Sequence, residues 1–165
     1  MAIRHTLESW ARKLKRLGLY PQKRKKLTKS TSNNIQKLPK SDTKRGPWSR
    51  VQSTKHKLND DLVRKVDQLL QKMQDLGWQP IVAEGYRTKA QQMEKVRKGY
   101  SKTMNSSHRV GKAVDIIDKR YGWAGPASKL DYKFWTDLGR EAKSVGLKWG
   151  GDWSSFKDVA HVYIT

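Results

Sequence analysis

Two short segments hold the residues of this chain whose types can do metal chemistry together. They are "SSHRVGKAVDI" at 106–116 and "DVAHVYI" at 158–164. The chain has four histidines and no cysteine, so any metal must sit on His, Asp or Glu, and there is no disulfide framework. On a continuous helix the step from His108 to Asp115 would rise about 10.5 Å, too far for one ion. Gly111 permits a turn between them, with Asp115 on the strand that follows. Alternation in the second segment puts Val159, His161 and Tyr163 on one side. His161 then points where Asp115 points if the two strands are neighbours. Two histidines and an aspartate leave the fourth tetrahedral position open, the arrangement of a catalytic zinc rather than a structural one. Such an ion lowers the pKa of a water toward about 7, and Asp158 is the natural base to take its proton. Spacing alone leaves a plainer reading open: a polar loop running into a buried strand, with His108 an ordinary loop histidine and Asp158 a turn cap.

The elements that must position these residues follow from periodicity. In "LNDDLVRKVDQLLQKMQDLGW", Leu62, Val66, Leu69, Leu70, Met73 and Leu76 form a helical stripe. Asn59 or Asp60 caps it and Gly77 ends it. "PIVAEGYR" reads as a strand leading into a loop, and "TKAQQMEKVRKG" as a shorter, more exposed helix. "GKAVDIID" is a strand with Val114 and Ile116 on one face and Ala113 and Asp115 on the other. A carboxylate in that setting needs a cation, hydrogen bonds or a metal, or it neutralises. "KLDYKFWTDLGREAKSVGL" is a third helix, with Phe134, Leu138, Ala142 and Val145 as its stripe and Gly146 as its stop. "KWGGDW" is a loop before the last strand. Helices and short strands mixed in this way predict a compact α+β domain over residues 58–165.

Joined together, Ser106-x-His108-x-x-Gly111-x-Ala113-x-Asp115 and Asp158-x-x-His161 resemble the signature of the zinc D-alanyl-D-alanine carboxypeptidase and dipeptidase family. That family also contains L-alanyl-D-glutamate endopeptidases, among them bacterial wall hydrolases and phage endolysins. "GLKWGGDWSSFKDVAH" is similar to the endopeptidase branch, and "GYRT" to the family's Gly-Tyr-Arg-Ser segment. The resemblance covers residues 58–165. It implies a hedgehog/D,D-peptidase fold, a small antiparallel sheet flanked by helices. It implies His108, Asp115 and His161 as Zn2+ ligands and Asp158 as the catalytic carboxylate. Arg87 is implied to bind a substrate carboxylate or stabilise an oxyanion, against a plain alternative as a surface ion-pair partner of Glu84 or Glu94. Ser106 is implied as a substrate-contacting hydroxyl. Trp149 and Trp153 stand as substrate-groove candidates, with core packing as the competing reading. One departure is visible: family members often end the motif in His-Phe-Glu or His-Phe-Gln, whereas here His161 is followed by Val162 and Tyr163.

The rest of the chain is dominated by charge. Its 36 Lys+Arg against 15 Asp+Glu give +21, and residues 1–50 hold 15 of those bases with 2 acids. Leu7, Trp10, Ala11, Leu14 and Leu17 predict a basic amphipathic helix in residues 1–20, seeking a membrane or wall surface or docking on the main domain. Residues 21–57 read as a basic linker. His5 and His56, in this arm, are expected to bind nothing specific. No apolar run is long enough to span a membrane, and the first residues lack the apolar stretch of a secretory signal. The expectation is therefore a monomeric enzyme made in the cytoplasm and acting on the cell wall: a peptidoglycan L-alanyl-D-glutamate endopeptidase of the endolysin kind. Its arm would hold anionic envelope polymers or a membrane surface. A D-alanyl-D-alanine carboxypeptidase is the runner-up. A nucleic-acid or anionic-polymer binder is the rival from another class, although no specific nucleic-acid signature appears.

Overall fold

The computed structural model describes residues 46–165. The amphipathic helix expected at 1–20 and most of the linker lie outside the described residues. The last part of that linker differs from expectation. Residues 47–50 form a turn and Gln52–Lys57 a 3-10 helix. Trp48 and Val51 are buried in the core, and the Trp48 indole N–H donates to Asp67 at 2.6 Å. These two apolar side chains, three apart, anchor a stretch whose polar composition otherwise reads as solvated.

Helix α1 is Asp60–Asp75. Asn59 is the cap: its side-chain oxygen accepts from the backbone N–H groups of Asp61 and Leu62, with Asp60 and Asp61 in the first turn. Leu62, Val66, Leu69, Leu70 and Met73 are buried along it as the stripe requires, while Leu76, just past the last turn, is exposed. Helix α2, Lys89–Arg97, starts with a capping box in which Thr88 and Gln91 satisfy each other's backbone N–H groups. Helix α3, Lys133–Ser144, buries Phe134, Trp135, Leu138 and Ala142 and packs against α1. Val145 is only partly buried.

Four strands, β1 (Pro80–Glu84), β2 (Ala113–Asp118), β3 (Lys148–Trp149) and β4 (His161–Tyr163), form one sheet in the order β1-β2-β4-β3. Every neighbouring pair is antiparallel. All six residues of β2 are buried, so its alternation separates a hydrophobic face from a face that is buried for another reason. Asp115 pairs with His161 on one side and Glu84 on the other, the latter through an irregularity between Val82 and Glu84. Directly opposed residues project to the same face. A polar row, Glu84–Asp115–His161, therefore crosses three strands of the sheet.

Candidate active site

His108 reaches that row from the 3-10 turn Ser107–Val110. The turn ends at Gly111, whose φ of 69° lies in the left-handed region. A side chain there would also collide with the Lys57 carbonyl and lie 3.2 Å from the Leu58 Cα. The loop after β1 and the turn are strapped together twice. Arg87 N–H donates to the His108 carbonyl at 3.1 Å, and the His108 ring Nδ1 contacts the Gly85 carbonyl at 2.7 Å. A carbonyl only accepts, so Nδ1 carries the hydrogen and Nε2 presents its lone pair.

Three atoms converge on one point. His108 Nε2 is 3.1 Å from His161 Nδ1 and 3.2 Å from Asp115 Oδ1, and His161 Nδ1 is 3.1 Å from the same oxygen. Ligands about 2.0–2.1 Å from a tetrahedral ion lie about 3.3 Å apart, so this triangle fits a metal such as zinc. All three residues are buried. Ser107 Oγ lies 3.4 Å from His161 Nε2. With the hydrogen on Nε2 directed at that hydroxyl, His161 Nδ1 is free as an acceptor, and three electron-rich atoms face one another across a gap that a cation fills. Burial opposes charge on Asp115; when His108 and His161 are instead protonated and donate to it, they outweigh burial and hold the carboxyl well below the usual carboxylate range.

The chain is similar to several known proteins. The D-alanyl-D-alanine carboxypeptidase family model matches residues 99–164. An L-alanyl-D-glutamate peptidase of Listeria phage A118 is 36% identical over 118 residues, 70% of this chain and 41% of that protein. The peptidoglycan L-alanyl-D-glutamate endopeptidase CwlK of Bacillus subtilis (strain 168) is 31% identical over 100 residues, 50% of this chain and 58% of that one. The chain thus spans about half the length of these curated relatives. Among solved structures, the Serratia marcescens L-Ala D-Glu endopeptidase ChiX superposes with a TM-score of 0.53 at 28% identity, covering 71% of this chain and 87% of that one. The family-model match and these relatives support the D-alanyl-D-alanine carboxypeptidase and L-alanyl-D-glutamate endopeptidase family for this chain. The α+β fold, a small antiparallel sheet flanked by helices, is the one expected.

The triad opens into a cavity of about 650 Å³. Asp158, Ser106, Trp153 and Arg87 line it too. Asp158 is tied to Gly150 through its backbone, its N–H donating to the Gly150 carbonyl at 3.0 Å, and its own carbonyl accepts from His161 N–H at 3.1 Å. A Cβ on Gly150 would lie 2.6 Å from the Asp158 carbonyl oxygen and 3.1 Å from the His161 Cβ. The glycine of "KWGGDW" is thus the space in which Asp158 and His161 come together. Trp153 lies with its ring centroid 5.2 Å from His161, its indole N–H donating to the Tyr163 hydroxyl at 3.2 Å.

Trp149 is a correction: it does not line the cavity. It packs over Gly139 of α3 and Gly151, and its indole N–H donates to the Val159 carbonyl at 2.8 Å. Its bare neighbours leave a slot for an indole against the helix, so core packing wins. Arg87 makes the Glu84 ion pair of the plainer reading and also lines the cavity. It pairs with Glu84, Nε to Oε1 at 2.8 Å and Nη2 to Oε2 at 2.9 Å, and Nη2 also donates to Asp115 Oδ2 at 3.2 Å. Yet it is 8% exposed, not on the surface, and Glu94 pairs instead with Arg97 and Lys98. Burial works against its charge, while Glu84, Asp115 and Asp158 together raise its pKa above the ordinary value.

Sequence reasoning missed Gln92 and Ser107, and named Glu84 only as an ion-pair partner of Arg87. Glu84 also holds Lys95 at 2.9 Å. Burial opposes its ionisation, but Arg87 and Lys95 hold the carboxyl below its usual pKa. Gln92, fully buried, accepts from Arg87 Nη1 at 3.1 Å and donates to Ser101 Oγ and the Thr103 carbonyl at 2.8 and 2.7 Å. Its signal was weak: a polar residue in a short helix without a strong apolar stripe. Trp123 and Phe156 also line the cavity.

Proposed function

We propose that the chain is a zinc-dependent peptidoglycan hydrolase that cleaves stem peptides, an L-alanyl-D-glutamate endopeptidase acting as a phage endolysin does. The observation that carries this reading is the convergence of His108 Nε2, His161 Nδ1 and Asp115 Oδ1 beside a cavity that Asp158 also lines. His108, Asp115 and His161 would hold the zinc, which when bound supplies Lewis acidity toward a water and a peptide carbonyl. Asp158 takes a proton from the attacking water and returns it to the leaving amine as the C–N bond breaks. Arg87 keeps its positive charge beside Asp115 and favours negative charge developing on the carbonyl oxygen. Ser106 and Trp153 contact the stem along the cavity.

The bond assigned is the one for which the Listeria phage, Bacillus and Serratia relatives are named. The description of the family model favours terminal D-alanine instead, and the same residues would serve that reaction. The cell wall is accordingly the site of action. Residues 1–50, with 15 bases and 2 acids, suit the anionic polymers of an envelope.

Mass spectrometry of soluble products from purified peptidoglycan tests the reading, with His161→Ala and Asp158→Ala as controls. New L-alanine C-termini and D-glutamate N-termini, absent with both variants, are the expected result. Loss of terminal D-alanine alone would move the assignment to the carboxypeptidase. No product from several wall types, with protein shown to hold one zinc, would overturn the hydrolase.

A further inference from the structure

Among the described residues four cations line the cavity, and they fall into two kinds. Arg87 and Lys95 are bound to Glu84, and Arg87 to Asp115 as well. Arg50 and Lys102 have no carboxylate partner among the described residues. Lys102 instead lies over the Phe156 ring, 5.1 Å from its centroid.

Both unpaired cations stand on backbone pinned at either side. Arg50 sits between Trp48 and Val51, each 7% exposed, and the Pro47 carbonyl accepts from Val82 N–H at 2.8 Å. Lys102 sits between Ser101 and Thr103, the two residues that buried Gln92 grips. A lone surface lysine is simply solvated. Two cations on anchored backbone, facing the cavity that holds the His–Asp–His triad, are a preformed field for an anion.

The chemistry of the stem supplies one. An amide from L-alanine to the nitrogen of D-glutamate leaves two carboxyl groups on that glutamate. The stem continues through one of them, and the other is either a free acid or capped as an amide. The end of the stem carries a further carboxylate. We propose that Arg50 and Lys102 form a subsite for a stem carboxylate, so that the enzyme discriminates acid from amide forms of its substrate. The proposal rests on the endopeptidase reading above.

The test uses the full chain, zinc-loaded, and synthetic L-alanyl-D-glutamyl stem peptides in two pairs. One pair differs in the free carboxyl of the glutamate, acid against amide; the other differs in the C-terminus, acid against amide. The readout is the ratio of kcat/KM within each pair. Wild type is expected to favour the acid about tenfold in one pair, which identifies the carboxylate bound. Arg50→Gln and Lys102→Gln bring that ratio toward one, and Arg50→Glu inverts it. Zinc content and melting temperature show that each variant is folded and loaded. Equal cleavage of acid and amide by wild type in both pairs overturns the subsite alone, as does a ratio that all three variants retain. Cleavage of no peptide by wild type overturns the endopeptidase reading beneath it.

Discussion

Gln92 gives the sharpest test of how the site is built. It is fully buried and joins Arg87 to residues 101–103 through three hydrogen bonds. Gln92→Leu keeps the volume roughly constant and removes all three. The Arg87 guanidinium retains Glu84 and Asp115, so its loss is partial. The Thr103 carbonyl retains the Ser101 hydroxyl at 3.1 Å, a longer contact than the one it loses. Leaving a buried polar group without a partner costs about 1–3 kcal/mol; both groups here keep another partner, so together they give roughly 2–4 kcal/mol, below the roughly 2–6 of two full losses. Ser101→Ala removes the Gln92 contact to Ser101 Oγ and that hydroxyl's own contact to the Thr103 carbonyl, but leaves Gln92 holding both Arg87 and Thr103, and should cost about 1 kcal/mol. Urea unfolding of the zinc-loaded chain measures both. The same variant should free the wall that carries Lys102, raising KM for stem peptides more than it lowers kcat. A Gln92→Leu loss no larger than that of Ser101→Ala would refute the claim that Gln92 organises this side of the cavity.

Other outcomes follow from the same structure. Gly139→Ala should destabilise by about 1–3 kcal/mol, although alanine gains about 1 kcal/mol in a helix interior. The new Cβ would lie 2.6 and 2.7 Å from two Trp149 ring atoms. A variant as stable as wild type in urea would show that Trp149 can move. Ser107→Ala should weaken zinc about tenfold in competition with a chromophoric chelator, because Ser107 orients His161; unchanged affinity would remove Ser107 from the site. Tyr132, pushed up to about 12 by burial and by its hydrogen bond to Asp118, stays protonated in the fold after the unfolded phenol ionises near pH 10. Unfolding then releases a proton, so stability should fall as pH rises from about 10 to about 12. Thermal unfolding of Tyr132→Phe should show a shallower fall across that window, and an identical profile would contradict the assignment.

Local pattern determined much of this protein by itself. The 3.6-residue stripes placed α1 and α3, because an amphipathic helix buries one face wherever it docks. His108, Asp115 and His161 stood out by residue type, but spacing alone left the plainer loop reading open, and the resemblance to a known family is what singled them out together with Asp158. Gly111 was legible because a turn had to separate the first two. Whether Trp149 faced substrate or core was decided by tertiary structure, through the bare surface of Gly139 beneath its ring. The same holds for Glu84, brought opposite Asp115 by an irregularity in strand pairing, and for Arg87, whose partners lie on two strands and a helix. Residues 46–57 read as linker because their composition is polar, yet Trp48 and Val51 suffice to seat them on the core. Periodicity reports which face of one element is apolar. Only the packing of several elements reports what that face meets, and the lack of a carboxylate partner for Arg50 and Lys102 among the described residues emerges at that second level alone.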